Sequence, residues 1–169
     1  AYGYIQSQER YESEEEILAI ADEFQRRDIG VDCLVLDWMS WPDGQWGQKT
    51  FDSNRFPDPS AMIETLHKKG IHFMLSIWPN MSSITADYKE FAEKKLLFPG
   101  TEIYNAFKEE GRELYWKQVE AKLACHGIDG WWADSSEPIT PEWEHTIEPE
   151  AGQAYSEYVH DTFAVMPPE

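Results

Sequence analysis

The chain has 169 residues and a formal net charge of −18, from 32 acidic and 14 basic residues. That length is typical of one domain with a single core. The charge excludes nucleic acid and anionic membrane surfaces as expected partners, because both require a basic face. The sequence has no apolar run of about 18 residues and no charged-then-apolar leader, so we expect a soluble chain, with its compartment unknown.

The first elements predicted are a strand at residues 2–6 and an amphipathic helix that runs to about residue 27. Ser13 and Glu16 have the spacing of a capping box, which places the start of this helix. Its apolar stripe consists of Ile17, Leu18, Ala21 and Phe24.

The second unit begins with a continuous apolar strand at residues 33–36, as expected where both faces of a sheet are covered. This strand stops at Asp37 and Trp38. Residues 39–59 are rich in Trp, Gly, Pro and Asp and have no helical period, which is typical of a functional loop. A helix at residues 59–69 completes the unit.

The rest of the chain continues the same alternation. Predicted elements are a strand at 71–77, helices at 85–95 and 108–125, a strand at 128–133 and a helix at 151–165. The strand at 71–77 ends at Trp78, and the strand at 128–133 ends at Asp134. Aromatic and acidic residues therefore recur at strand ends.

Four consecutive βα units place the chain in the α/β class. A complete (β/α)8 barrel has eight units in about 250 residues, so four units predict either an open sheet or half of a TIM barrel. No glycine-rich phosphate loop follows any strand, which removes the best support for a nucleotide-binding open sheet.

Polar and aromatic side chains gather where the predicted strands end. In parallel α/β proteins these ends meet at one edge, where active sites are built. Carboxylates beside tryptophans suit a sugar, because carboxylates hold hydroxyl groups and indole rings cover its CH-rich face. The residues expected at this edge are Tyr4, Gln6, Asp37, Trp38, Trp78, Asn80, Asp134 and Glu137.

Five strings carry a resemblance to a known family: GYIQSQERY, LDWMSWPDGQWG, RFPDPSAMI, HFMLSIWPNM and GIDGWWADSSEP. In this order and spacing they resemble glycoside hydrolase family 31, which contains α-glucosidases and α-xylosidases. The resemblance extends from Tyr2 to about Val165. It implies that residues 1–169 are a single partial catalytic domain, the first half of a (β/α)8 barrel with strands 1–4 and their helices.

The same resemblance implies a retaining mechanism in which an Asp after strand 4 is the nucleophile, the position of Asp134. It implies that Asp37, after strand 2, binds sugar hydroxyl groups. The further substrate-binding candidates, which would shape the same pocket, are Tyr4, Gln6, Trp38, Trp78 and Trp132.

Two features depart from the family pattern. Many members have a Lys two positions before the nucleophile, where this chain has Trp132, either a pocket wall or a core residue. The family's general acid/base lies in the later half of the barrel, and the acidic run at residues 142–150 does not resemble it. Losing acid/base assistance costs about 10² to 10⁴ in rate, so we expect the isolated chain to be nearly inactive.

The expected substrate is an α-linked oligosaccharide or glycoside, and the string SWPDGQWG favours α-xylosidase over α-glucosidase. The alternative is a carbohydrate-binding or structural half-barrel fragment, since tryptophans bind sugar without a nucleophile. We expect no cofactor and no metal, because the five histidines lack ligand spacing. The unpaired edges of strands 1 and 4 predict a homodimer or association with the missing barrel half.

Overall fold

The computed structural model describes residues 3–134. In chain order its elements are β1 (Ile5–Gln8), α1 (Glu14–Arg26), β2 (Cys33–Leu36), α2 (Pro59–Lys68), β3 (His72–Ile77), α3 (Ala86–Glu93), α4 (Glu109–Lys122), a 3₁₀ helix (Ala124–His126) and β4 (Gly130–Ala133). The predicted helix at residues 151–165 and Glu137 lie outside the described residues. No helix in the described part is both long and apolar enough to span a membrane.

The four strands form one parallel sheet in the order β1-β2-β3-β4. A doubly wound sheet reverses its strand order at a switch point, and these four strands show no reversal. Strands in sequence order that alternate with helices are the arrangement of half a (β/α)8 barrel. The predicted α/β class and half-barrel architecture are therefore confirmed.

Side-chain caps fix where the first two helices begin. The Ser13 hydroxyl accepts a hydrogen bond from the Glu16 N–H at 3.1 Å, as the capping-box spacing predicts. The Glu16 carboxylate accepts from the N–H of Glu12, one residue before the cap, at 2.6 Å. At the start of α2 the Asp58 carboxylate accepts from the Ala61 N–H at 3.0 Å. Each cap satisfies a donor that the helix leaves unpaired.

One face of the sheet packs against the helices and forms the core. Alternation along β2 and β3 separates the two faces of the sheet. The buried residues on the helix side are Leu34, Leu36, Phe73, Leu75 and Ile77 from the strands and Ile17, Ala21, Met62, Ile63 and Leu66 from α1 and α2. The opposite face is the side that becomes the interior of a closed barrel. Polar side chains at the strand ends on this second face are therefore available for a site.

The predicted position of the first strand is wrong by two to three residues. Register with β2 pairs Ile5 with Cys33 and Gln8 with Leu36, so β1 begins after Tyr4 and ends at Gln8. This edge strand has a mostly exposed, polar sequence and is held by pairing with β2, which a hydrophobic pattern does not reveal.

Tyr4 and Gln6 therefore do not lie at the carboxyl end of the sheet. The Tyr4 ring packs against Phe24 of α1 with 5.7 Å between ring centroids, and its hydroxyl donates to Gln6 Oε1 at 2.7 Å. Residues two apart in a strand share a face, so both side chains face α1. The predicted placement of these two residues in the pocket is wrong.

A buried charged group lies between the loop before α2 and helices α3 and α4. Lys49 is 3% exposed and Asp87 is fully buried. The Lys49 N–H donates to Asp87 Oδ2 at 2.7 Å, and the Lys122 ammonium pairs with the other oxygen of Asp87. Burial lowers the pKa of Lys49 to about 8, an effect that Asp87 opposes and Lys122 increases.

We predict that stability depends on pH through Lys49. Between about pH 8 and 10.5 the unfolded chain retains the Lys49 proton that the folded chain has lost, so the free energy of unfolding rises with pH over this range. Lys49→Met should be more stable than wild type at pH 7, by on the order of 2–3 kcal/mol, and the gain should shrink as pH approaches 10.5. Urea unfolding across this range measures both effects, and a gain that does not change with pH would contradict the prediction.

Candidate active site

The register of the sheet brings Asp37 and Asp134 to the same face. Val35, Met74 and Gly130 lie level with one another across β2, β3 and β4. Asp37 is two residues beyond this level and Asp134 is four residues beyond it, and an even separation keeps both on one face. The Asp134 N–H donates to the last carbonyl of β3 at 3.0 Å, which extends the ladder beyond β4. Both carboxylates therefore lie at the carboxyl edge of the sheet, on the side away from the helices.

The two carboxylates interact electrostatically. Burial raises the pKa of Asp37 above its ordinary value, and the negative charges of Asp134 and Glu9 raise it further. A carboxylate that is partly buried beside like charges is costly, and such groups are concentrated at functional sites. The arrangement suits a ligand that carries hydroxyl donors or develops positive charge.

Glu9 is a residue of the site that the sequence pattern does not identify. Gln8 pairs with Leu36, so Glu9 follows β1 at the level of Asp37. The next residue, Arg10, lies over the Trp38 ring with its Cζ 5.6 Å from the centroid. A first strand extended to residue 8 would have identified Glu9 and Arg10, because both lie at the strand end.

Four tryptophans form one cluster at this edge. Ring centroids are 5.3 Å apart for Trp38 and Trp46, 5.6 Å for Trp41 and Trp46, and 5.0 Å for Trp46 and Trp78. Trp41 and Trp78 meet edge to face at 6.5 Å. Trp38 and Trp78 are expected at the site from the sequence, whereas Trp41 and Trp46 are not, although both lie in the loop predicted to be functional.

Two of these indoles have unpaired donors. Within the described part of the chain, the buried Nε1 atoms of Trp46 and Trp78 have no hydrogen-bond partner. A buried N–H without an acceptor costs about 1–3 kcal/mol, so it requires an explanation. Both donors are enclosed by protein atoms, so their cost is part of the cost of forming the tryptophan cluster.

The backbone is strained immediately after Asp37. Trp38 has φ 31° and Met39 has φ 58°, so two consecutive non-glycine residues adopt the left-handed region. Conformations of this kind cost on the order of 1–3 kcal/mol each and cluster at active sites. The Trp38 N–H donates to the Ser76 hydroxyl at 2.7 Å, which fixes the turn against β3.

The loop from β2 to α2 lies directly on the loop that follows β3. Gly47 has φ 70°, and a Cβ atom there would lie 2.0 Å from the carbonyl oxygen of Asn80. The Ser82 N–H donates to the Trp46 carbonyl at 2.8 Å. Only glycine allows this approach, so Gly47 brings Trp46 close to Trp78.

Trp132 lies on the same face as Asp134, two residues earlier, and is 40% exposed in the described structure. Its neighbour Trp131 faces the helices and packs against Trp116 of α4, with 6.4 Å between ring centroids. The core tryptophan of this pair is therefore Trp131. Trp132 is available as a wall of the site.

A separate polar cluster lies at the opposite, amino end of the strands. Asp129 Oδ2 accepts from the Phe73 N–H at 2.8 Å and lies 2.7 Å from His67 Nε2, while His72 Nδ1 lies 3.2 Å from Oδ1. Burial opposes ionisation of Asp129, but these hydrogen bonds outweigh it and lower its pKa. Among residues 3–134, no group of three or more His, Cys, Asp or Glu side chains is arranged to hold a metal ion.

A half barrel of βα units with carboxylates and indoles at its carboxyl edge has the arrangement on which (β/α)8 enzymes build their active sites. The sequence matches the Glycosyl hydrolases family 31 TIM-barrel domain over residues 1–167. The chain therefore belongs to glycosyl hydrolase family 31.

Individual relatives agree with this assignment. The chain is 43% identical over 140 residues to an "Alpha-xylosidase" from Saccharolobus solfataricus, a match that covers 83% of this chain. It superimposes on a GH31 alpha-xylosidase from Xanthomonas citri with TM-score 0.81 and 33% identity over 96% of the chain. A GH31 alpha-xylosidase from a soil metagenome, complexed with xylose, gives TM-score 0.85 and 28% identity over 95%. The matched regions span 19%, 20% and 26% of these three proteins.

We predict that Gly47→Ala is far more damaging than Gly44→Ala. Both glycines have positive φ, at 70° and 75°, but only Gly47 is in close contact, since nothing lies within 4 Å of a Cβ at Gly44. Each variant loses about 1 kcal/mol from the backbone conformation. Gly47→Ala should lose about 1–3 kcal/mol more, because the two loops must separate. Urea unfolding measures the difference, and equal losses would show that the loops do not depend on this contact.

We predict that Asp37→Asn stabilises the fold at neutral pH. Because the pKa of Asp37 is raised, the folded state holds its proton more tightly, and stability falls as pH rises from the ordinary pKa to the raised one. The amide should therefore raise the melting temperature by about 1–3 °C at pH 7 and have little effect near pH 3. Asp43→Asn, in the exposed part of the same loop, controls for the change in net charge. A lower melting temperature for Asp37→Asn at pH 7 would refute the prediction.

Proposed function

We propose that this protein is a retaining α-glycosidase that removes terminal α-linked sugars, with Asp134 as the nucleophile. The observation that carries the proposal is the position of Asp134 at the carboxyl end of β4, on the face it shares with Asp37 and close enough to raise the Asp37 pKa. A retaining glycosidase needs a carboxylate nucleophile beside groups that hold the sugar in place.

In the proposed first step, the Asp134 carboxylate attacks the anomeric carbon of the substrate. The bond from that carbon to the leaving oxygen breaks, and the oxygen takes a proton from a general acid. A glycosyl ester on Asp134 results. Water then attacks the same carbon, gives a proton to the conjugate base and releases Asp134, so the product retains its configuration.

The other residues of the site hold the sugar. Asp37 accepts hydrogen bonds from sugar hydroxyl groups, and its raised pKa falls when the ligand supplies these donors. The Trp38, Trp78 and Trp132 rings provide the walls of the pocket. We do not include Tyr4 and Gln6, because both face α1.

A terminal α-xylosyl group is the proposed substrate. The 43% identical relative is named an α-xylosidase, and a structural neighbour of TM-score 0.85 was solved with xylose. α-Glucosidase activity is the alternative within the family, and it differs in accommodating the C6 hydroxymethyl group. Initial rates on aryl α-xyloside and aryl α-glucoside distinguish the two.

The chain spans 19% of the length of its α-xylosidase relative, so we propose that further βα units complete the barrel. They would supply the general acid/base about 5–5.5 Å from Asp134, as a retaining mechanism requires. Among the described strands, β1 and β4 each have a single neighbour, and pairing of these edges with the missing half, or with a second copy, would close the sheet. The isolated chain should then be nearly inactive.

The second candidate is a sugar-binding half barrel without catalysis, which the four-tryptophan cluster favours. Titration calorimetry with xylose separates the two functions when wild type and Asp134→Asn are compared. A binding module keeps its affinity without any turnover in either form. An enzyme turns over substrate only with Asp134 intact.

We predict that Asp134→Asn lowers kcat/KM for an aryl α-xyloside by at least about 10³-fold in a form of the protein that carries the complete barrel. The amide keeps the shape of the side chain and removes the nucleophilic charge. Asp43→Asn, in an exposed loop, is the control and should retain normal activity. Turnover by Asp134→Asn within tenfold of wild type would exclude Asp134 as the nucleophile.

A further inference from the structure

Lys49 is a buried cation that the proposed mechanism does not use. Its Nζ lies 3.2 Å from the Met81 sulfur, 4.1 Å from the Tyr115 ring centroid and 5.9 Å from that of Phe91. Among the described residues its ammonium makes no ion pair within 4.0 Å, since Asp87 contacts the Lys49 backbone and pairs with Lys122. The charge is thus held mainly by aromatic faces and a thioether.

Stability alone does not explain a lysine at this position. Removing an ammonium from water costs several kcal/mol, and its attraction to aromatic faces returns on the order of 2 kcal/mol. Methionine has a similar length and no charge, and it packs well beside aromatic rings. The charge of Lys49 is therefore expected to affect the residues that surround it.

Tyr115 connects Lys49 to the tryptophan cluster. The Tyr115 hydroxyl donates to the Trp78 carbonyl at 2.8 Å. A cation over a phenol ring withdraws electron density and makes the hydroxyl a better donor, so Lys49 strengthens this bond. The Trp78 ring in turn contacts Trp46, with 5.0 Å between ring centroids, and Trp46 belongs to the same loop as Lys49.

These contacts form a closed circuit, by which we mean the series Lys49–Tyr115–Trp78–Trp46 that joins two loops through α4. Lys49 and Trp46 belong to the loop before α2, whereas Trp78 follows β3 and Tyr115 lies in α4. The main chain of Lys49 is fixed separately, because its N–H donates to Asp87. A substitution of the Lys49 side chain therefore leaves the backbone anchor in place and tests the ammonium alone.

We propose that Lys49 is a positioning residue of the sugar pocket, which orients Tyr115 so that its hydroxyl holds Trp78 against the loop tryptophans. The inference rests on the proposed function, in which Trp78 is a wall of that pocket. Lys49 itself is buried and contacts no substrate.

The test compares Lys49→Met, Tyr115→Phe and the double variant in the form of the protein that carries the complete barrel. Tyr115→Phe removes only the hydroxyl and keeps the ring. Lys69→Met is the matched control, because Lys69 pairs with Asp22 on α1, outside the circuit. The first measurement is the circular dichroism from exciton coupling between the indole rings, which requires no sugar.

Both single variants should weaken the exciton signal, and the double variant should lose no more than Lys49→Met alone, since the two residues act in series. The second measurement is kinetic: KM for an aryl α-xyloside should rise about tenfold in each single variant, with a smaller change in kcat. Lys69→Met should match wild type in both measurements.

A wild-type exciton signal in Lys49→Met would overturn the positioning role, whatever the activity, and a wild-type signal in Tyr115→Phe would overturn it too, because the Tyr115 hydroxyl would then not hold Trp78. Lys49→Met is expected to fold, because it removes a buried charge and keeps the length of the side chain, so its signal decides the role of the ammonium. Loss of the exciton signal in a protein whose wild type neither binds nor cleaves xylosides would support the positioning role and refute the proposed function. The two proposals therefore fail separately.

Discussion

The candidate active site depends on one constraint, the parallel pairing of β2 with β3 and of β3 with β4 in a single register. This pairing brings Asp37 and Asp134, which are 97 residues apart in the sequence, to one edge and one face of the sheet. Because side chains alternate, a slip of one residue would move either carboxylate to the helix side. The buried strands specify this register through their apolar helix-facing side chains, so the core fixes the geometry of the polar site.

Several features of this edge are costly for folding. Asp37 is partly buried beside two other acidic residues, and Trp38 and Met39 have a strained backbone. Two indole N–H groups are buried without a partner among residues 3–134. Each lowers stability, and none is needed to hold the sheet together. At the amino end of the strands the polar groups are paired instead. Asp129 accepts a hydrogen bond from a backbone N–H and contacts two histidine side chains. Several unfavourable interactions thus lie where chemistry is proposed.

Much of the fold follows from local sequence. Residues 33–36 were predicted as β2 without error, because a continuous apolar run between polar ends has one satisfactory placement, and Ser13 marked the start of α1. The first strand was misplaced because an edge strand with an exposed, polar sequence takes its position from its neighbour. Because of that error, Glu9 and Arg10 were not predicted to lie at the end of a strand. Trp41, Trp46 and Lys49 could not be assigned either, since their surroundings depend on how two distant loops cross.

The close approach of Gly47 to Asn80 has a consequence for how this family diversifies. The walls of the site belong to two neighbouring βα units at once, because one loop rests on the backbone of the next. Exchanging either loop alone with that of another barrel would leave its partner without a matching surface. Recombination or loop grafting should therefore transfer the second and third units together, as one inherited module.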